Sequence, residues 1–460
     1  MMKKKAYLLV SVLLMNVLSG CKDDIEENEA VDSVKQESVE DLNLRALYSE
    51  NHVISVSEAS EIALKAPEMF SGEFTRASDQ TPRVIESIGV YGRTNSSLRS
   101  ANTNEDTLVY VFNFEDNRGF AIVAADDRIP TQLLAYVDEG VLENDVENPG
   151  LQYALEQMQD YVEFSIDYFE NKKDSFLTVA EKNSFVVDAK TAETRAIYTG
   201  TAYQLLSEST IGPLLNVTWD QTYPYNMYVD KKCDYTIAYR DKAPTGCVAT
   251  ATAQIMSYWK YPSTLNQYAM NWNNMCLAPI PETSSNQSNI ARLMREIGRE
   301  VNMDYECDGS SAKSSDAYNL LGRLGYIKAF SKGFNSSDVR NAMELRRPLL
   351  ARGCSKKTTT GKLWWKKTHY SDCHAWVIDG CKTLHYKQEN YRINTSTGEY
   401  TSTFSYYDEN YFHHNWGWGS NGNGYFAAGC FNLQDAYSYD GDNNSTYDFH
   451  YENEIYCVYR

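Results

Sequence analysis

A break at Pro244-Thr245-Gly246 interrupts the chain immediately before Cys247, and the residues after it are apolar at helical intervals: Val248, Ala251, Ile255 and Tyr258. This pattern predicts a helix with Cys247 in its first turn. Small residues at Ala249, Ala251 and Ala253 let such a helix lie deep against its neighbours. A thiol at a helix start meets unpaired N–H groups and the positive end of the helix dipole, which favour the nucleophilic thiolate. An isolated cysteine is more often a small buried hydrophobe. The nucleophilic reading therefore needs partners elsewhere in the chain.

A cysteine nucleophile needs a base, and the base needs an orienting group. His374 stands in Asp372-Cys373-His374-Ala375-Trp376-Val377-Ile378-Asp379-Gly380, a buried-strand run closed by a turn signal. Asn415, in His413-His414-Asn415-Trp416-Gly417, has an amide oxygen that can accept from an imidazole and fix its tautomer, while Trp416 can cover that bond. Spacing alone leaves His413 or His414 open as the base. For the oxyanion, the Cys247 N–H is one donor and the side-chain amide of Gln221, after Trp219-Asp220, is the second. Gly417, Gly419 and Gly422 match a dinucleotide fingerprint formally, but Asn-Gly turns lead into Tyr425-Phe426 where a helix should begin. We reject that reading.

The 460 residues exceed one typical domain, so two folded units with extensions are expected. A hydrophobic share of 42% with 35 tyrosines is enough for sizeable cores, and a net charge of −19 argues against nucleic acid as a partner. Lys3, Lys4 and Lys5 precede a short apolar run, Ala6 to Leu18, too short to span a membrane comfortably. The run ends in Leu18-Ser19-Gly20-Cys21, which resembles the lipobox of bacterial lipoproteins. That resemblance implies removal of residues 1–21 up to an acylated Cys21, a cell-envelope location at the outer membrane or surface, and membrane contact only through the lipid anchor. Residues 22–50 open on Lys22-Asp23-Asp24 and read as an acidic, solvated tether. This start resembles the surface-export signal of lipoproteins in the Bacteroidetes.

Residues 51–190 read as an α+β unit. Ser57 is placed to cap a helix carrying Ala59, Ile62, Ala63 and Ala66 that stops before Pro67. Leu108 to Phe114 and Phe120 to Ala124 form a hairpin, and Pro149-Gly150 starts a helix with Leu151, Ala154, Leu155, Met158, Tyr161 and Val162 on one face. A polar connector between Asp188 and Tyr203 is a place for proteolytic nicking. Residues 196–460 form the second domain. Beyond Cys21 and Cys247 the cysteines are Cys233, Cys276, Cys307, Cys354, Cys373, Cys381, Cys430 and Cys457, enough for four disulfides of open connectivity. Cys354, Cys373, His374 and Cys381 lack the close cysteine pair of a zinc site, so no metal is expected. The stretch from Ser355 to Thr368 is read as a mobile loop on account of its lysines.

Taken together, Thr245-Gly246-Cys247-Val248-Ala249-Thr250, Gln221 after Leu214-Leu215 and Trp219, His374-Ala375-Trp376-Val377-Ile378-Asp379-Gly380 and Asn415-Trp416-Gly417-Trp418-Gly419 resemble the streptopain family of cysteine proteases. Phe120 to Asp127, Asn148-Pro149-Gly150 and Met303-Asp304-Tyr305 with Gly309-Ser310 resemble further segments of it. The separation of Cys247 and His374 is near the roughly 130 residues between nucleophile and base in papain-like proteases. The resemblance implies an α+β fold, with a papain-like cysteine protease domain preceded by a smaller α+β propeptide domain. It implies an endopeptidase made as a zymogen, with Cys247 as nucleophile, His374 as base, Asn415 orienting it, Gln221 in the oxyanion hole and Trp416 as shield. Protein or peptide substrates and the chain's own propeptide are the implied partners, and no cofactor is implied. One departure is Cys373, where the family has glycine; its thiol is placed to restrict the groove, form a disulfide or make activity redox-sensitive. The same Cys-His pair also serves cell-wall amidases and acyltransferases, and the tether and tyrosines suit a non-enzymatic adhesin.

Overall fold

In the computed structural model, the described residues are 42–70, 82–92, 95–100, 107–143, 146–185, 197–360, 367–432 and 452–460. The expected signal, Cys21, the expected tether before Leu42 and the expected connector from Asp188 to residue 196 lie outside them. In the first half, α1 (Leu44–Leu47) and α2 (Val56–Phe70) precede β1 (Ile85–Gly92), β2 (Asn95–Ser100), β3 (Thr107–Phe114), β4 (Phe120–Ala124) and β5 (Leu133–Val137), and α3 (Pro149–Lys182) ends it. The second half begins with β6 (Ile197–Ile211), β7 (Lys232–Thr236), β8 (Arg240–Lys242), α4 (Cys247–Trp259), β9 (Thr264–Leu265), β10 (Tyr268–Ala269) and α5 (Trp272–Met275). It continues through α6 (Ser284–Glu300), α7 (Ser314–Arg323), β11 (Ile327–Gly333), α8 (Ser336–Glu344), β12 (Leu349–Thr360), β13 (Lys367–Asn394), β14 (Glu399–Asn415), β15 (Gly424–Ala427) and β16 (Glu452–Tyr459).

The two halves share one sheet. Its order is β11-β16-β12-β13-β14-β15-β5-β4-β3-β1-β2, with β6 added on β13. The join is antiparallel, Tyr425 opposite Tyr136 and Phe426 opposite Ala135. Side chains alternate across a strand, and here the alternation divides two cores. Ala375, Val377, Leu350 and Tyr456 face a cluster with α4, α6 and α7, whereas Trp376, Ile378, Leu349 and Ile455 face a cluster with α2 and α3. The α+β architecture expected from the sequence is therefore present, and β13 carries one face to α4 and the other to the first half.

Several local expectations are corrected. Ser55, not Ser57, accepts from the Glu58 N–H, at 3.2 Å. Helix α2 runs on through Pro67 to Phe70. Proline removes one helical hydrogen bond and strains the turn before it, but Phe70 is buried against Tyr136, Tyr411 and Tyr425 at ring separations of 5.4, 5.1 and 5.0 Å, and this packing holds the last turn. The end of the expected tether folds as well: Leu42, Leu44, Ala46 and Leu47 are buried with Phe169, Phe176 and Phe185. The polar connector is already strand from Ile197 onward. In place of a mobile loop at 355–368 there is a hairpin, paired from Leu349 opposite Ile378 to Thr360 opposite Lys367, with 361–366 outside the described residues. The eight cysteines give two disulfides, Cys233–Cys307 and Cys354–Cys373, and Cys276, Cys381, Cys430 and Cys457 are free.

Candidate active site

Gly246 caps α4 with a φ of 86°, a conformation that suits glycine, and a Cβ there would lie 2.6 Å from Met303 Sδ. The helix behind it is buried along its length, with Ala249, Ala251 and Ala253 fully covered. Cys247 is thereby fixed as the first residue of the helix, half-buried and unbridged. Backbone N–H groups of Ala375, Val248 and Cys247 itself favour the thiolate, but burial is the larger effect and raises the thiol pKa. The expected helix-start stabilisation is present and outweighed. The contact with Ala375 also places Cys247 against the residue next to His374.

Gln221 is brought beside the nucleophile by its own backbone. Its carbonyl accepts from the Thr245 N–H at 3.1 Å, two residues before Cys247, and the Trp219 N–H donates to Gln254 Oε1 of α4 at 3.1 Å. Gln221 is buried, and among the described residues its side-chain amide has no hydrogen-bond partner.

His374 shares the parity of Trp376 on β13 and stacks on it at 6.2 Å, on the side facing the first half. Its Nε2 lies 2.8 Å from the Trp416 carbonyl. A carbonyl oxygen only accepts, so Nε2 carries the hydrogen and Nδ1 is the basic nitrogen. Burial lowers the ring's pKa to about 4, with the carbonyl bond acting in the opposite direction. In this arrangement the thiol and imidazole are therefore both neutral at pH 7. They are not hydrogen-bonded to one another among the described residues.

Asn415 departs from the expected geometry. Its Oδ1 accepts from the Gly417 N–H at 3.3 Å and its Nδ2 donates to the Val217 carbonyl at 2.9 Å. The imidazole bonds the next residue's carbonyl instead. Trp416 is fully buried, with Nε1 donating to the Gly422 carbonyl at 2.8 Å and its backbone N–H to Asn423 Oδ1 at 2.9 Å. Of the other candidate bases, His413 Nδ1 donates to Asp379 Oδ1 at 2.6 Å. His414 is enclosed by Phe431, Trp416 and Phe426, with both nitrogens unpartnered among the described residues. Gly417, Gly419 and Gly422 have φ values of 70°, 68° and 73° and lead into β15, so they serve turns and no nucleotide loop.

The first turn of α3 packs against His374. Asn148 caps that helix through the Gly150 and Leu151 N–H groups at 2.9 and 3.2 Å, and its Nδ2 donates to the Asn421 carbonyl at 2.7 Å. Gly150 then sits against the site: a Cβ there would stand 2.9 Å from His374 Cδ2 and 2.5 Å from Trp416 Cε3. One turn on, Tyr153 packs on Trp376 and donates to Asn453 Oδ1 at 2.6 Å. Sequence reading located the start of α3 but not this contact. The only hint was a Pro-Gly pair, which marks a helix start whatever it touches.

Residues 219–426 match the Peptidase C10 family and residues 51–162 match the Spi protease inhibitor family. Streptopain from Streptococcus pyogenes serotypes M28 and M1 is 27% identical over 367 residues, covering 70% of this chain and 74% of the relative. The thiol protease/hemagglutinin PrtT of Porphyromonas gingivalis is 25% identical over 364 residues, 71% of this chain and 34% of that protein. Cysteine, histidine, asparagine and glutamine segments thus converge within the matched region, and the chain carries a cysteine peptidase domain of the Peptidase C10 family behind a Spi protease inhibitor domain.

Proposed function

We propose that the protein is a lipid-anchored endopeptidase zymogen of a bacterial cell surface, in which Cys247 attacks peptide carbonyls once the first half leaves. The observation that carries this reading is the place of Cys247, first residue of α4, with its thiol at the Ala375 N–H beside His374 and Gln221 tied to Thr245. When α3 withdraws, His374 Nδ1 takes the thiol proton and the sulfur bonds to the carbonyl carbon. The oxyanion is held by the Cys247 N–H and the Gln221 amide. His374 returns the proton to the leaving amine as the C–N bond breaks, leaving a thioester, and then acts as base for the water that hydrolyses it. In that open state Asn415 orients the imidazole and Trp416 shields the pair. Export and anchoring rest on Lys3 to Lys5 and Leu18-Ser19-Gly20-Cys21. Proteins or peptides are the substrates, and the first half is the inhibitor.

Casein cleavage by the processed protein tests the mechanism. Cys247→Ser is expected to abolish it and Cys373→Ser to retain it; full activity in Cys247→Ser overturns the assignment. Release of peptidoglycan fragments with casein left intact would instead favour amidase chemistry.

A further inference from the structure

We propose that Asp379 and His413 are positioning residues for the peptidase reaction, a buried clamp that sets the register of the strands carrying His374 and Asn415 and holds the segment carrying Gln221 against them. The clamp begins in a β-bulge. Strands β13 and β14 pair Val377 with Asn415 and Ile378 with His414, then Gly380 with His413, so Asp379 is the extra residue. A bulge re-aims the side chain of the inserted residue, and here it directs a carboxylate to the side chain two residues before Asn415.

Each polar contact of Asp379 ties down a different part of the site. Its Oδ1 accepts from His413 Nδ1 on β14 at 2.6 Å. Its Oδ2 accepts from the Leu215 N–H at 3.0 Å, and its carbonyl from the Leu214 N–H at 2.7 Å. Leu214 and Leu215 open the segment that continues to the Val217 carbonyl, which accepts from Asn415 Nδ2, and to Gln221, which meets Thr245 ahead of Cys247. Gly212 is fitted to this approach, since a Cβ there would lie 2.4 Å from the Asp379 carbonyl oxygen.

A buried polar pair is a poor route to stability, because well-packed apolar residues of similar volume often do as well. Asp379 is 1% exposed, so its carboxyl oxygens are committed to these partners. What apolar packing does not supply is register. A slip of one residue between β13 and β14 moves His374 or Asn415 to the opposite face, and the clamp bonds only one alignment.

This inference rests on the assignment of Cys247, Gln221 and Asn415 above, and the test separates the two. In the full chain after processing, His413→Ala and Asp379→Asn are expected to lower kcat roughly 10- to 100-fold with KM nearly unchanged, as displaced catalytic groups do. A peptide aldehyde, whose hemithioacetal uses the oxyanion donors, should lose affinity in step with kcat. Alkylation of Cys247 by iodoacetamide, which needs the thiolate but not the oxyanion donors, should lose less than hydrolysis does. His413→Asn keeps a donor at the position of Nδ1 and should recover most of the loss, which also covers the case in which His413→Ala fails to fold. Unchanged kcat in His413→Ala and Asp379→Asn, or a loss shared equally by alkylation and hydrolysis and not recovered by His413→Asn, overturns the clamp. Activity surviving in Cys247→Ser overturns the underlying assignment instead.

Discussion

Gly150 of the first half backs directly onto His374 of the peptidase half, with room for a hydrogen and not for a methyl group, since a Cβ would stand 2.9 Å from the imidazole. His374 is thus covered by the first turn of α3, and the same turn touches Trp416. The close approach depends on a glycine, whose missing Cβ leaves the room for it.

Gly150→Ala is expected to loosen the first half. Overpacking of this kind costs about 1–3 kcal/mol, which favours the open form by roughly one to two orders of magnitude unless the helix shifts. Labelling of Cys247 by a thiol-directed epoxide in the uncleaved protein should become faster. Equal labelling rates in wild type and Gly150→Ala would show that α3 does not gate access.

The pH dependence of docking follows from two groups with opposite signs. Burial lowers His374 to about 4 in the closed form, so exposure lets it take up a proton, and its contribution to docking, present above its ordinary value near 6.5, is lost as pH falls toward 4. Glu409 of β14 is raised to about 7 by burial while its carboxylate bonds Thr131 of the first half. Its contribution is full below the ordinary carboxylate value of about 4.5 and is lost as pH rises toward 7. The two nearly cancel between about 4.5 and 6.5. In Glu409→Gln the His374 effect stands alone, and Cys247 labelling in the uncleaved protein should accelerate steadily from pH 6.5 to 4.5. A flat profile in that variant would remove His374 from the linkage.

The disulfide Cys354–Cys373 joins residues directly opposite each other on β12 and β13, immediately before His374. Its closed loop is short, 19 residues of separation, and loops of this size contribute at most about 3 kcal/mol through the unfolded state. Cys354→Ala with Cys373→Gly should therefore lower the melting temperature measured by calorimetry. His374 stays paired with Gly353 on β12, and β13 stays paired with β14 from Val377 onward, so casein hydrolysis at 25 °C should persist. Loss of hydrolysis without a lower melting temperature would mean that the bridge acts on the base itself.

The residues of the site were legible in the sequence because their local chemistry is local: a Gly-Cys helix start, a buried-strand run after His374, an Asn-Trp-Gly turn. The hairpin of the first half and the start of α3 were legible for the same reason, since periodicity and turn residues act within a few positions. The eight further cysteines were not resolved into pairs, because pairing depends on which strands lie opposite. The end of α2 and the fold of Leu42 to Leu47 escaped as well: burial of Phe70 and of the leucines overrides a proline and an acidic neighbourhood, and burial is set by distant residues.

What the sequence determined by itself was the set of candidate groups and the order in which the chain presents them. Tertiary structure decided their state. Strand parity turns His374 toward the first half, Gly150 confines it against Trp416, and exclusion of water keeps thiol and imidazole neutral. The Asp379 bulge, whose partners His413, Leu214 and Leu215 lie far from it in the chain, exists only once the strands are paired. Side-chain type is written residue by residue, but desolvation and register arise from chain segments meeting, and these separate a closed site from a working one.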